Sequence, residues 1–399
     1  MHKSLSYLRQ KFYDYYKNAI LEYPSRFGRR EFGFTYFDPE LMQRHLSFNT
    51  REGLRSFILE KVPSHIYYSA AYYNAPDANE MAKKGWLGAD LIFDLDGDKL
   101  EKSKNLGYKE MLEIVKQETL KLIDNFLIPD FGIDADFITV NFSGARGYHV
   151  HVTEPKILQL DSYARREILD YLAAEGLDWN KKIFHEEIYT IVRTGFRKIA
   201  KKTVKMPSVT ASGWEGRIAK GILKFIDSLE NSKCEDAITK LQRYGIKKKP
   251  SEAIYKELFE KVSGITGANK IREQGSLDIF SKDSYLRAFL DIIEKELKID
   301  LSSGTDEPVT SDTKRLIRMQ SSLHGKTGLK AMSLSIDKLK EFEPLKDAIV
   351  FSAEPTKIKV FKDEKFELGG EKFSLVEGST VLPEFAAVFL IARGLAEKI

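Results

Sequence analysis

Two aspartates stand two positions apart in the run Asp90-Leu-Ile-Phe-Asp-Leu-Asp96. In a strand, side chains at i and i+2 share a face. Asp94 and Asp96 then point one way while Leu91, Phe93 and Leu95 enter the core. Like charges on an apolar strand repel, and burying them is costly unless a cation neutralises them. Carboxylate oxygens are hard ligands, suited to Mg²⁺ or Mn²⁺. The plain alternative is a solvated acid pair ending a strand before the turn at Gly97-Asp98. A bare Asp-x-Asp weights the two about equally; the Leu-Ile-Phe flank tilts it toward metal.

A second constellation is Asn141-Phe-Ser-Gly-Ala-Arg-Gly-Tyr-His-Val-His151. Gly144 and Gly147 permit a tight turn between strands, and such a turn can aim backbone N–H groups at an anion. Ser143 adds a hydroxyl and Arg146 a two-pronged phosphate donor. On the next strand His149 and His151 share a face. A lone histidine there is more often structural, but the preceding Ser, Gly, Arg and Gly favour a triphosphate cradle.

A third segment runs from Asp306-Glu-Pro-Val-Thr through Lys314-Arg-Leu-Ile-Arg318 to Ser321-Ser-Leu-His-Gly-Lys-Thr-Gly328. It offers a carboxylate, several cations, His324, and Lys326 in a glycine-flanked turn. Alone it reads as a solvated basic face. With the other two it completes the equipment for two-metal nucleotidyl transfer, in which carboxylate-held metal activates a 3′-hydroxyl and offsets charge on the α-phosphate and pyrophosphate.

These residues need elements to hold them. Ala89 to Asp96, Phe137 to Phe142 and Tyr148 to Val152 read as strands, and Lys109 to Phe126 as an intervening helix. Upstream, Leu8, Phe12, Tyr15, Tyr16 and Ile20 repeat at helical spacing. Glu31 to Phe37 alternates as a strand, Arg51 to Lys61 reads as a helix with Thr50 as N-cap, and Ile66 to Tyr73 as a strand. From Asp161 to about Asp300 helical patterns dominate, with loops near Lys202 to Gly216 and at Lys247-Lys-Lys-Pro250. Val350 to Val376 reads as a meander. The mixture predicts an α+β fold: a mostly antiparallel catalytic sheet flanked by helices. Residues 1–190 and 300–399 form the expected catalytic core, and 190–300 an inserted helical subdomain.

The chain has 399 residues, 42% apolar and 31% charged, ordinary for a globular protein. Its 63 basic and 59 acidic residues leave +4, so any nucleic acid must be met by a local basic face. The single cysteine, Cys234, excludes an internal disulfide and a cysteine-rich zinc site, and suits a reducing cytoplasm. The N-terminus carries no apolar signal region. Phe385 to Ala392 is too short to span a bilayer and reads as a buried helix; no membrane association is expected.

The chain resembles the small, catalytic subunit of archaeal/eukaryotic-type DNA primases, over nearly its whole length. The resemblance rests on Arg30 to Phe34, Gly88 to Asp96, Ser143 to His151, Asp306 to Thr310, Arg315 to Gly328 and, for the archaeal branch, Leu382 to Gly394. It implies a metal triad of Asp94, Asp96 and Asp306. It implies that Ser143, Arg146 and His149 hold the incoming triphosphate, with Arg318, His324 and Lys326 closing from the other side. It places Arg44 near the initiating nucleotide or template. The family makes short RNA primers on single-stranded DNA from NTPs, with deoxynucleotide extension in archaeal members. Its partner is a large subunit that carries an iron–sulfur cluster, so the expected assembly is a heterodimer.

Two departures stand out. Most members carry a zinc knob between the Asp-x-Asp strand and the Ser-Gly-x-Arg-Gly turn. Here residues 97–140 hold no Cys or His, so no zinc site is expected. Met319-Gln320 replaces a common proline, with an expected local backbone effect only. Asp312 rivals Asp306 as third carboxylate, and family spacing to His324 favours Asp306. Phe93-Asp-Leu-Asp-Gly97 also resembles the nucleophile loop of haloacid-dehalogenase-type phosphatases, but Asp98 follows where Thr or Val is usual. A catalytically dead DNA-binding scaffold would need no paired acids.

Overall fold

Phe32-Gly-Phe-Thr35 alternates aromatic and small residues and forms an inner strand of the first sheet. Its strands are β1 (Phe32–Thr35), β2 (Met42–Leu46), β3 (His65–Ser69) and, from far along the chain, β13 (Leu316–Arg318). All pair antiparallel in the order β13-β3-β1-β2. Helix α1 (His2–Asn18) and helix α2 (Arg51–Lys61) bury Phe12, Tyr16, Leu54 and Ile58 against Phe32, Phe34 and Ile66. Thr50 caps α2 as expected, its side chain accepting the Gly53 N–H at 3.0 Å.

The computed structural model describes residues 2–103, 106–177, 185–191, 199–301 and 307–399. It divides into two units, Met1–Leu169 with Ser303–Ile399, and Asp170–Ser302. The fold is α+β, with several small antiparallel sheets among helices. Among the described residues no helix is long and apolar enough to cross a membrane.

The acidic run forms β6 (Leu91–Asp96) at one edge of a second antiparallel sheet with β7 (Ile138–Phe142), β8 (Gly147–Val152) and β14 (Met332–Leu334), in the order β14-β7-β8-β6. Leu91, Phe93 and Leu95 share one face with Val152, Val150 and Tyr148, their cross-strand partners. Helix α3 (Tyr108–Leu122) packs on β6 and β8, and Met111, Leu112, Val115 and Leu122 are buried.

The expected strands at Ile66–Tyr73 and Ala89–Asp96 are each broken by a buried node. Strands β4 (Ala71–Tyr73) and β5 (Trp86–Ala89) pair separately. Asp90, between β5 and β6, takes Arg30 Nη2 at 2.7 Å and the Tyr72 hydroxyl. Arg165, in helix α4 (Ser162–Ala173), donates to the Asp90 and Ala89 carbonyls at 2.8 Å. Arg30 and Asp90 neutralise each other, while the Arg165 guanidinium is held by backbone carbonyls.

The unit Asp170–Ser302 is mainly helical, but its chain contains two hairpins, β9 (His185–Ile191) with β10 (Ile199–Lys205) and β11 (Lys261–Val262) with β12 (Ile265–Thr266). The expected loop at Lys202 to Gly216 begins inside β10 and ends inside a helix, Gly213–Glu230. That at Lys247–Pro250 is instead the start of the helix Lys248–Phe259, where a proline in the first turn forfeits no helical hydrogen bond.

The C-terminal strands are β15 (Pro355–Val360), β16 (Glu364–Leu368), β17 (Glu371–Leu375), β18 (Gly378–Pro383) and β19 (Ala396–Lys398). They are not a simple meander. β15 pairs with β18 and β19, while β16 and β17 form their own hairpin between them. The apolar run at 385–392 is the buried helix Glu384–Ala392.

Candidate active site

Strand register sets the acidic side of the site. On β6, Asp94 lies opposite His149 of β8, which lies opposite Asn141 of β7. Asp94 and Asp96 are partly exposed on one face, at 19% and 29%. His149 Nε2 lies 3.4 Å from Asp94 Oδ1. Burial lowers the His149 pKa from its ordinary value despite the pull of Asp94, so the ring is neutral near pH 7. Asp96 Oδ1 accepts the Asp98 N–H at 3.0 Å, which fixes the strand end.

The turn 143–147 is braced from three directions. Ser143 Oγ accepts the N–H groups of Ala145 and Gly147, each at 3.3 Å. Tyr108 of α3 donates its hydroxyl to the Ala145 carbonyl at 2.6 Å, and Thr327 donates to the Gly144 carbonyl at 2.6 Å. Gly144 has φ +81°, which favours glycine. A Cβ on Gly147 would meet the Leu95 carbonyl oxygen at 2.2 Å, so glycine here lets β8 approach β6. Arg146 leaves the turn toward the acids. Its guanidinium pairs with Asp98, and its Nε is 3.8 Å from Asp96.

Across a cavity of about 800 Å³ stands the basic side, in the same unit. Arg318 of β13 is 8% exposed. Its guanidinium donates to His65 Nδ1 and to the Tyr67 hydroxyl at 3.2 Å, and lies 4.6 Å from the Tyr67 ring centroid. Among the described residues no carboxylate lies within ion-pair distance of it. His324 stands edge-on to His65, and burial first, then Arg318, drives its pKa well below the ordinary value. Lys326 is exposed, its ammonium 2.9 Å from Glu40.

The cavity therefore collects Asp94, Asp96, Ser143, Arg146, His149, Arg318, His324 and Lys326, scattered in sequence from position 94 to position 326. Asp306 lies outside the described residues. Asp312 is exposed and does not line the cavity; its carboxylate accepts the Lys314 N–H at 2.8 Å. Arg44 does not line it either. It sits on β2, its Nε 3.0 Å from the fully buried Glu31. Met319 is buried in the first core, and Gln320 donates to Tyr68.

Tyr67, Tyr108, Thr327, Arg315 and Arg393 also line the cavity. Arg393 lies over the Tyr108 ring, 5.3 Å from its centroid. Arg315 and Arg393 stand inside motif stretches, so proximity in sequence could have flagged them. Tyr67 and Tyr108 carry no such signal, because an aromatic residue in a strand or helix reads as core.

Among the described residues no three acidic, histidine or cysteine side chains converge as a metal cage. Asp94 and Asp96 do supply oxygen-only donors on a common face open to the cavity, a donor set that fits a hard divalent cation.

The family model for the DNA primase small subunit matches residues 93–336. The chain is 44% identical to the DNA primase small subunit PriS of Methanothrix thermoacetophila, covering 99% of both chains. It is 39% identical to PriS of Methanococcoides burtonii over 99% of this chain and 98% of that one. It is 35% identical to PriS of Halobacterium salinarum, again over 99% and 98%.

Proposed function

The chain belongs to the DNA primase small-subunit family, and on that premise we propose that it synthesises short RNA primers de novo on single-stranded DNA, accepting deoxynucleotides as well. It works with a large subunit as a heterodimer in the cytoplasm, on NTPs and a DNA template. The observation that carries the reading is Arg318, a buried guanidinium held by neutral partners and facing two carboxylates across one cavity. A buried cation without a counter-ion is costly unless an anion completes it. The triphosphate of a bound nucleotide would supply that anion.

In this reading Asp94 and Asp96, with Asp306, hold Mg²⁺ or Mn²⁺. Asp306 directly precedes the helix Glu307–Ser311, which packs against β6. A metal held there would supply Lewis acidity toward the attacking 3′-hydroxyl and charge to offset the phosphates. The protein's own side chains bind and orient. Arg318, His324 and Lys326 grip the phosphates from one wall, and Ser143, Arg146 and His149 from the other. Neutral His149 can donate one N–H hydrogen bond without adding charge beside Asp94. Arg146 leaves Asp98 to take a phosphate oxygen. Arg44 is the candidate contact for the initiating nucleotide or template, oriented by Glu31.

The test is incorporation of labelled ribonucleotides on unprimed single-stranded DNA by the chain with its large subunit, with Mg²⁺ or Mn²⁺. Dinucleotides and short products are expected. Their absence in both metals sinks the reading, and a trapped aspartyl-phosphate on Asp94 would replace it with a phosphatase.

A further inference from the structure

His65 stands at the start of β3, opposite Thr35 of β1, and is 6% exposed. Its Nδ1 accepts from two donors, Arg318 Nη1 and the Gly325 N–H at 3.2 Å. Its ring lies 4.7 Å from that of His324, in a T-shaped contact. Gly325 lies so close that a Cβ there would be 3.0 Å from His65 Nε2 and 2.8 Å from the Ser64 Cβ. One imidazole thus touches the guanidinium, a second histidine and the turn that carries Lys326. A plain core histidine would satisfy itself on nearby backbone; this one spends its acceptor on residues 253 and 260 positions away.

The chemistry of the acceptor matters. A carboxylate in this place would orient Arg318 equally well but would cancel its charge. A neutral imidazole orients the guanidinium and leaves the charge free for an incoming anion. Two donors at Nδ1 also leave the proton on Nε2. Burial, with the charges of Arg318 and Lys326, holds the His65 pKa down at about 2, so the ring stays an acceptor.

We propose that His65 is the positioning residue of the triphosphate wall, a neutral acceptor that aims Arg318 and ties it to the Gly325–Lys326 turn without neutralising either cation. This rests on the primase reading for the identity of the anion.

The test compares three replacements in the full chain with its large subunit. His65→Asn places a neutral acceptor near the Nδ1 position, His65→Asp a charged one, and His65→Leu none. Binding of ATP with Mg²⁺ and the KM and kcat of primer synthesis are measured, beside thermal melting. His65→Asn is expected to keep KM within about threefold of wild type. His65→Asp, by cancelling the Arg318 charge, and His65→Leu, by removing its acceptor, should each raise KM by about tenfold to a hundredfold, with kcat changed far less. Should His65→Leu fail to fold, the Asn and Asp pair still decides, since both keep a polar acceptor. Equal KM values for Asn and Asp overturn the proposal. A wild-type chain that binds ATP through Arg318 yet makes no primer sinks the primase reading alone. No ATP binding by wild type sinks both.

Discussion

Asp94 and His149 face each other across the β6–β8 pair, with 3.4 Å between carboxylate oxygen and Nε2. The contact joins the acidic strand to the proposed phosphate cradle, so a change at either partner should be read at both.

Asp94→Asn should reduce primer synthesis at least about a hundredfold, because on the proposed function it removes a metal-binding charge and several kcal/mol of transition-state stabilisation. The melting temperature should hold or rise, since one of two neighbouring like charges is gone. DNA binding should persist. Nucleotide incorporation, calorimetry and a filter-binding assay check the three parts. Unfolding of the variant would point to a structural role for Asp94.

Folding stability should fall as the solution is acidified below neutrality. His65, His149, His151 and His324 all have pKa values lowered by burial. In the unfolded chain they titrate near the ordinary 6.5, so below it the unfolded state binds protons the folded state refuses. Stability is therefore full above about pH 6.5 and lost as pH falls toward each folded value, by up to ~1.4 kcal/mol per pH unit per histidine. Denaturant melts at pH 7, 6 and 5 measure the slope, and His65→Asn should reduce it by close to one proton.

Gly147→Ala should destabilise the protein by about 2 kcal/mol or more, as overpacking against backbone has no flexible side chain to yield. The clash is with the Leu95 carbonyl, one residue from both Asp94 and Asp96, so activity should fall further than stability predicts. Chemical denaturation and a primer assay on the same preparation test the two together.

Thr327→Val and Tyr108→Phe each remove one brace on the 143–147 turn while keeping most of the side-chain volume. Each should cost about 1 kcal/mol of stability and raise KM for nucleotide more than it lowers kcat. The double variant should lose more than the sum in KM if the braces act on one rigid turn. Additive effects would show that they hold it independently.

Much of the acidic side was legible in the sequence because it is local. Period-two alternation put Asp94 and Asp96 on one face and Phe93 and Leu95 on the other, and that is how β6 lies. The helix at Lys109–Phe126 was legible for the same reason, from its 3.6-residue apolar spacing. What alternation cannot show is a partner hundreds of residues away. The His65–Arg318 link spans 253 positions, and the Thr327 brace on Gly144 spans 183. The breaks at Ala70 and Asp90 were equally hidden, because a buried Arg30–Asp90 pair overrides strand propensity. Lys202–Gly216 was expected as a loop, but its first residues belong to β10, which pairs with β9 through its backbone and tolerates lysines.

The braced turn between β7 and β8 also fixes how its length can evolve. Side chains alternate along β8, so one residue inserted before Gly147 and passed into the strand would exchange its two faces. His149 and His151 would enter the packed layer against α3, and Tyr148 and Val150 would fill the cavity. Substitutions in this loop can be graded, but an insertion or deletion is all-or-none. The spacing from Phe142 to Gly147 should therefore drift less over time than the identity of the residues between them.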